Sequence, residues 1–445
     1  MSQEAASIGP RTMPRGSAWE ALGRMWRMRR HTLEICRESH ARHGTAVMQN
    51  AGIVRIVNLF GPDANRFVMV DREGNFSAQR AWEGIMGRVF GGGLLLRDGE
   101  EHRHHRRIMQ NAFRKSVLAG YSELMDPRIE QGISAWRAGG ELRAFPAFKR
   151  LTLDLACSVF LGLELSEEES ERVHGAFEAT VAASMSVVRL PIPGLEFHRG
   201  LRGRAYLERF FRELLPERRR SEGGDMFSAL CRARSEQGDR LSDEEIVDHM
   251  IFLLMAAHDT TTSALTSLTY ELARHPDWQE RIRQECRSLP GPWLGFGQLD
   301  RVPGIALAMS ETLRRYPPLS TVPRMAERDC SFDGFPIPKD ALVVCFPIHT
   351  HHMEEWWDDP FRWDPERFAE PRLEHRRHSH SYVPFSAGEH VCLGLRFAEM
   401  QVRSVLFQLV RRFRWTVPDG YRMPVQQAPI SKPLDGLPLQ LQRLD

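Results

Sequence analysis

Ser242-Asp243-Glu244-Glu245 opens a helical stretch that no glycine or proline interrupts until His275-Pro276. A serine followed three residues later by glutamate is a reciprocal capping box, and the residue before a proline is pushed out of the α region. At 1.5 Å per residue the helix is roughly 45–50 Å long, enough to cross a whole domain. Its centre, Ile251 to Ala257, is apolar on every side, so it belongs in an interior.

Around that axis the chain has mostly helical periodicity. Asp98 opens a helix with Glu100 and Glu101 in its first turn, and Leu151–Leu161 has the pattern of a buried helix. Another runs from Pro303 to Tyr316, stopped by Pro317-Pro318, and a last amphipathic helix covers about Leu393–Phe413. Strand-like segments lie at Val47–Leu59, Gly334–Ile337 and Ala341–Phe346. Ser186 to Gly200 and Phe361 to Pro384 break helical structure. The expected fold class is mainly α with small β-sheets, as one domain over 21–445 behind a flexible N-terminal arm over 1–20.

Sixty Lys and Arg against 58 Asp and Glu leave a net charge of +2, which gives no basis for nucleic-acid binding. The longest apolar run, Met250–Ala257, is too short to span a bilayer, and the N-terminus has no signal-like run, so no membrane anchor is expected. The seven cysteines are odd in number and form no C-x-x-C pair, which argues against disulfides and thiolate zinc. A cytoplasmic setting fits.

Chemistry concentrates in Phe385-Ser-Ala-Gly388-Glu-His390-Val-Cys392-Leu-Gly394, between an irregular loop and the final helix. Glycine at 388 permits a turn where side chains would clash, and glycine at 394 permits close approach of a flat partner. Cys392 then sits at a helix start, where unpaired N–H groups favour a thiolate. Taken singly, Cys392 is as readily a small buried hydrophobe. Thr260, in Ala256-Ala257-His258-Asp259-Thr260, can bond back to the carbonyl of Ala256. Asp259 in so apolar a stretch needs a reason: proton delivery, or a salt bridge to an arginine. His349-Thr-His351-His352 and His375-Arg-Arg-His378-Ser-His380 could ligate zinc but lack its usual spacings.

From about Trp82 to Leu437 the chain resembles the cytochrome P-450 family of haem-thiolate monooxygenases. The signature Phe-x-x-Gly-x-His/Arg-x-Cys-x-Gly is matched by Phe385, Gly388, His390, Cys392 and Gly394, with Ser386 where many members have glycine. The resemblance implies the P-450 fold, with the long central helix over haem b (iron protoporphyrin IX) and Cys392 as axial thiolate. It implies that Thr260 holds the distal oxygen and Asp259 feeds protons inward, with Ala257 in place of the family's usual glycine. His102, Arg106, Arg324 and His390 match positions that bind the haem carboxylates, while the adjacent His104-His105 are expected at the surface. Glu311, Arg314 and Arg367 match a buried structural network. Dioxygen and a lipophilic small molecule (terpenoid, steroid or fatty-acid-like) are the implied substrates. Electrons are expected from a separate ferredoxin and ferredoxin reductase or a similar donor, docking at Arg103, Arg107, Arg114 and Lys115. The rivals on the same scaffold are a peroxygenase, a reductase or isomerase, and a haem-binding sensor.

Overall fold

The structure is a computed structural model and describes residues 18–51, 54–162, 166–186 and 188–444, with the side chains of 18–26, 51 and 167 left aside. The arm expected over 1–20 therefore lies outside the described residues except for 18–20, which begin a helix, Ala18–His43. The described chain divides into two compact units, each assembled from distant stretches of sequence. One combines residues up to Ala81 with Leu313–Val391 and Val425–Ser431; the other combines Trp82–Thr312, Cys392–Pro424 and the chain from Lys432 on.

The second unit is helical. Its axis is the helix Asp243–Arg274, opened by the complete capping box: Ser242 N–H donates to Glu245 at 2.8 Å, and Glu245 N–H to the Ser242 hydroxyl at 3.2 Å. Helices Ala144–Ala156, Glu196–Arg220 and Leu395–Arg412 pack against it. The first is pinned by the Thr152 and Thr262 hydroxyls, 2.8 Å apart. Buried Arg204 holds the second, reaching Glu208 at 2.7 Å and also Asp248 on the axis. The helix expected over Leu151–Leu161 ends earlier: past Ala156 the chain widens into a π-type turn, Cys157–Leu161, closed by Gly162 in the left-handed region. A small antiparallel sheet sets Pro438–Arg443 between Glu141–Arg143 and Phe413–Thr416.

The first unit is organised by a five-stranded sheet. In spatial order the strands are Ala46–Ala51, Val54–Leu59, Leu342–Cys345, Val322–Ala326 and Phe76–Ser77. All neighbours are antiparallel except the second and third, paired at Val57↔Val343. The single strand expected over Val47–Leu59 is thus two strands folded back on each other, Ala46 facing Leu59. The alternating pattern is the same for a long strand and for a hairpin, and only pairing partners distinguish them. Val57, Leu59, Val343 and Cys345 bury one face against Ala64, Val68 and Val383.

Candidate active site

In the helical unit, Cys392 lies two residues before Gly394, which caps the helix Leu395–Arg412. It is the one exposed cysteine of the seven, so it is not the buried hydrophobe that a free cysteine usually becomes. Surrounding protein still pushes its thiol up by desolvation, against a hydrogen bond from the Gly394 N–H and the nearby Arg106 guanidinium. Arg106 is itself lowered by burial and raised by Cys392. Gly394 has an ordinary φ of −85°, and a Cβ built on it meets no atom of the described residues within 4 Å. Neither backbone strain nor a protein neighbour accounts for glycine there.

Helix Gly99–Met109 carries Arg106 together with His102, which is buried. His105 is not the surface residue expected. It is buried too, its Nδ1 2.8 Å from Nε2 of buried His249 and its Nε2 3.2 Å from Glu245. A run of consecutive polar residues conceals which one turns inward, because facing is decided by the neighbouring helix. Arg107, Arg114 and Lys115 are exposed, while Arg103 is paired with Glu100 at 2.6 Å.

The axial helix is buried from His249 to Ala273 except at five residues: Met255, Ala256, Ala257, Asp259 and Thr260. Thr260 Oγ1 donates to the Ala256 carbonyl at 2.7 Å, occupying the carbonyl four residues back as expected. No arginine is the partner of Asp259 in the ion pairs formed by the described residues. Its carboxylate instead lies 3.1 Å from Nδ1 of His258, a histidine of zero exposure.

In the sheet unit, Gly388 has φ +67°, and a Cβ there would sit 2.1 Å from the Met69 carbonyl oxygen. Glycine is required at 388 by backbone packing as well as by the turn. Phe385 and His390 are half-buried; Arg324 is buried, with a guanidinium N–H donating to the Pro323 carbonyl at 2.9 Å. Arg314 and Arg367 converge on one acceptor, the Arg362 carbonyl, at 3.4 and 3.2 Å. Arg314 also donates to the His351 and Pro360 carbonyls, and Arg367 to the Asp358 carbonyl. A carboxylate the sequence reasoning missed, fully buried Glu374, meets Arg367 at 2.6 Å. Glu374 has no motif around it, and only the turn of the loop brings it in. Glu311 is fully buried in the helical unit.

Four of the six histidines weighed as zinc ligands have separate partners. His351 Nδ1 faces the Arg314 carbonyl and its Nε2 accepts the Val383 N–H, His352 faces the Ile348 carbonyl, and His349 meets His40 at 3.1 Å. His378 lies 3.5 Å from Asp63.

A family model described as cytochrome P450 matches residues 13–437. The chain belongs to the cytochrome P450 family. A protein of Mycobacterium tuberculosis called cytochrome P450 136 is 38% identical over 427 residues, covering 94% of this chain and 86% of the relative. The pentalenene oxygenase of Streptomyces avermitilis is 29% identical, covering 97% of each. Among solved structures, the retinoic-acid-bound cyanobacterial CYP120A1 superimposes with a TM-score of 0.87 at 28% identity, over 98% of this chain and 99% of its own. The protein is accordingly a P450 monooxygenase with the P450 fold, and its family works through haem bound by a cysteine thiolate. The residues fit that group: an accessible thiol hydrogen-bonded by a main-chain N–H, a neighbouring guanidinium, and a glycine with open space where a side chain would stand. No described helix is long and apolar enough to cross a membrane.

Proposed function

We propose that this P450 oxidises a lipophilic small molecule, terpenoid, steroid or fatty-acid-like, with haem b held by Cys392. The observation that carries the reading is the accessible notch in the buried axial helix, where Asp259 and Thr260 stand among Met255, Ala256 and Ala257. An apolar wall with a few polar groups suits an oily ligand. The pentalenene oxygenase and the retinoic-acid complex are named for ligands of that kind. When bound, the haem supplies dioxygen activation. The chain's own residues then bind and orient: His102, Arg106, Arg324 and His390 hold the cofactor's carboxylates, and Glu311, Arg314 and Arg367 stiffen the loop that bears the cysteine. Thr260, its hydroxyl hydrogen committed to Ala256, presents an oxygen lone pair that accepts a hydrogen bond, while Asp259 feeds a proton inward beside it.

Electrons come from a separate, acidic ferredoxin-type donor steered to Arg107, Arg114 and Lys115. The reaction is placed in the cytoplasm. The test is reconstitution with surrogate redox partners and a spectral-shift screen of lipophilic ligands. Ligands that shift the haem spectrum should be converted with NADH and dioxygen, and Cys392→Ala should lose the thiolate-type carbon-monoxide band. A normal band without Cys392 would overturn the ligand, and binding without NADH-dependent product would overturn the oxygenase reading.

A further inference from the structure

His258 stands between the proton-delivery pair and the neighbouring helices. Its ring has zero exposure, edge-on to Phe177 with centroids 5.4 Å apart. On one side Nε2 lies 3.0 Å from the Lys149 carbonyl oxygen. A carbonyl can only accept, so Nε2 carries a hydrogen. On the other side Nδ1 lies 3.1 Å from Asp259 Oδ1, off the hydrogen-bonding axis, and has no aligned hydrogen-bond partner among the described residues. With Nε2 protonated, a neutral ring would turn its Nδ1 lone pair toward a carboxylate oxygen inside a low-dielectric interior. A proton on Nδ1 turns that repulsion into an attraction between imidazolium and carboxylate.

We propose that His258 is a positioning residue for Asp259 that stores the proton Asp259 delivers. The inference rests on the delivery role given to Asp259 and Thr260 above. In the resting arrangement the ring is an imidazolium against the Asp259 carboxylate. For delivery the Nδ1–H bond breaks and an O–H bond forms on Oδ1, and Asp259 then passes that proton toward Thr260 and returns to the carboxylate. His258 is left neutral with its hydrogen on Nε2, still bonded to Lys149, and water supplies the next proton to Nδ1. No electrons move. The helices that carry Lys149 and His174 bear mixed charges. Helix Ala144–Ala156 brings the Lys149 ammonium, itself paired with Glu178 at 2.9 Å, and Arg150 and Asp154. Helix Glu167–Ser184 brings His174, 3.6 Å from Asp154 and within electrostatic reach of His258. Asp154 and His174 are partly exposed.

Two measurements on the holoenzyme test this. The first is nitrogen NMR of ¹⁵N-histidine-labelled, diamagnetic ferrous carbon-monoxide protein, with His258 assigned by its loss in His258→Gln. Both ring nitrogens should be protonated at neutral pH, and Asp259→Asn should convert the ring to the neutral form with hydrogen on Nε2. A neutral His258 in the unsubstituted protein overturns the proposal; if His258→Gln does not fold, the signal that changes form in Asp259→Asn assigns the ring instead. The second measures NADH coupling to product across pH. Glutamine can keep the donor to Lys149 but cannot titrate, so His258→Gln should lower coupling several-fold and erase a decline toward high pH seen with histidine. If Asp259→Asn and Thr260→Ala uncouple while His258→Gln matches the parent at every pH, the storage role is wrong and the delivery pair stands. If Asp259→Asn and Thr260→Ala also leave coupling unchanged, the delivery reading itself fails.

Discussion

At the scale of single residues, the two glycines of one motif are held very differently. Gly388 is fixed by its surroundings within the sheet unit: positive φ and a carbonyl where its side chain would be. Gly388→Ala should cost about 1–2 kcal/mol for the left-handed backbone and about 1–3 kcal/mol more for the overlap with Met69. A drop of several degrees in thermal midpoint with early haem loss is the expected outcome; an unchanged midpoint would show that the loop relaxes freely. Gly394→Ala should leave the haem-free protein as stable as its parent, since no atom of the described residues opposes a methyl group there. The motif in the sequence marked both glycines, but only the folded structure separates a packing requirement from an open space.

At the scale of elements, buried ionic and histidine contacts hold loops that have little regular structure. Glu374 and Arg367 are both nearly inaccessible and 2.6 Å apart, so Glu374→Gln leaves a buried guanidinium without its carboxylate. That should cost about 3–5 kcal/mol, read as a lower denaturation midpoint with the fold otherwise retained. His351 joins the end of helix Pro303–Arg315 to the approach of the cysteine loop. Its Nδ1–H donates to Arg314 while Nε2 accepts from Val383, an arrangement that admits only the neutral ring. Burial pushes His351 down to about 3, with the Arg314 charge adding to the effect. His249 is likewise lowered by burial, then by His105 and Arg97. The unfolded chain takes up protons below its ordinary value of about 6.5, whereas these folded rings do not. Stability is therefore full above that pH and declines as pH falls, by about 1.4 kcal/mol per unit for each such ring. Chemical denaturation from pH 7.5 to 5 should show this, with a shallower slope in His351→Gln; equal slopes would mean that His351 is protonated in the fold.

At the scale of the whole molecule, 60 basic and 58 acidic side chains almost cancel, so a local cluster is not lost in a general field. Arg107, Arg114 and Lys115 are exposed, while the charge of Arg103 is partly answered by Glu100. Arg107→Glu and Arg114→Glu should each slow first-electron transfer from an acidic ferredoxin several-fold at low salt. The difference should fade as screening shortens to about 10 Å near 0.1 M. Stopped-flow reduction at two ionic strengths checks it, and unchanged low-salt rates with intact substrate binding would place the partner elsewhere. On this scale the amino-acid order alone determined the axial helix, because its cap, its uninterrupted run and its proline stop are all local signals. It likewise determined the position of the cysteine loop and the back-bonded Thr260, which depend on spacings within one turn. Tertiary structure decided what local pattern cannot encode. It folded the Val47–Leu59 run into a hairpin, turned His105 inward to His249, supplied Glu374 to Arg367, and set His258 rather than an arginine against Asp259. The inward turn of His105 depends on which distant segment arrives alongside and the others on how the chain turns and packs, and a buried polar group takes whatever partner that provides.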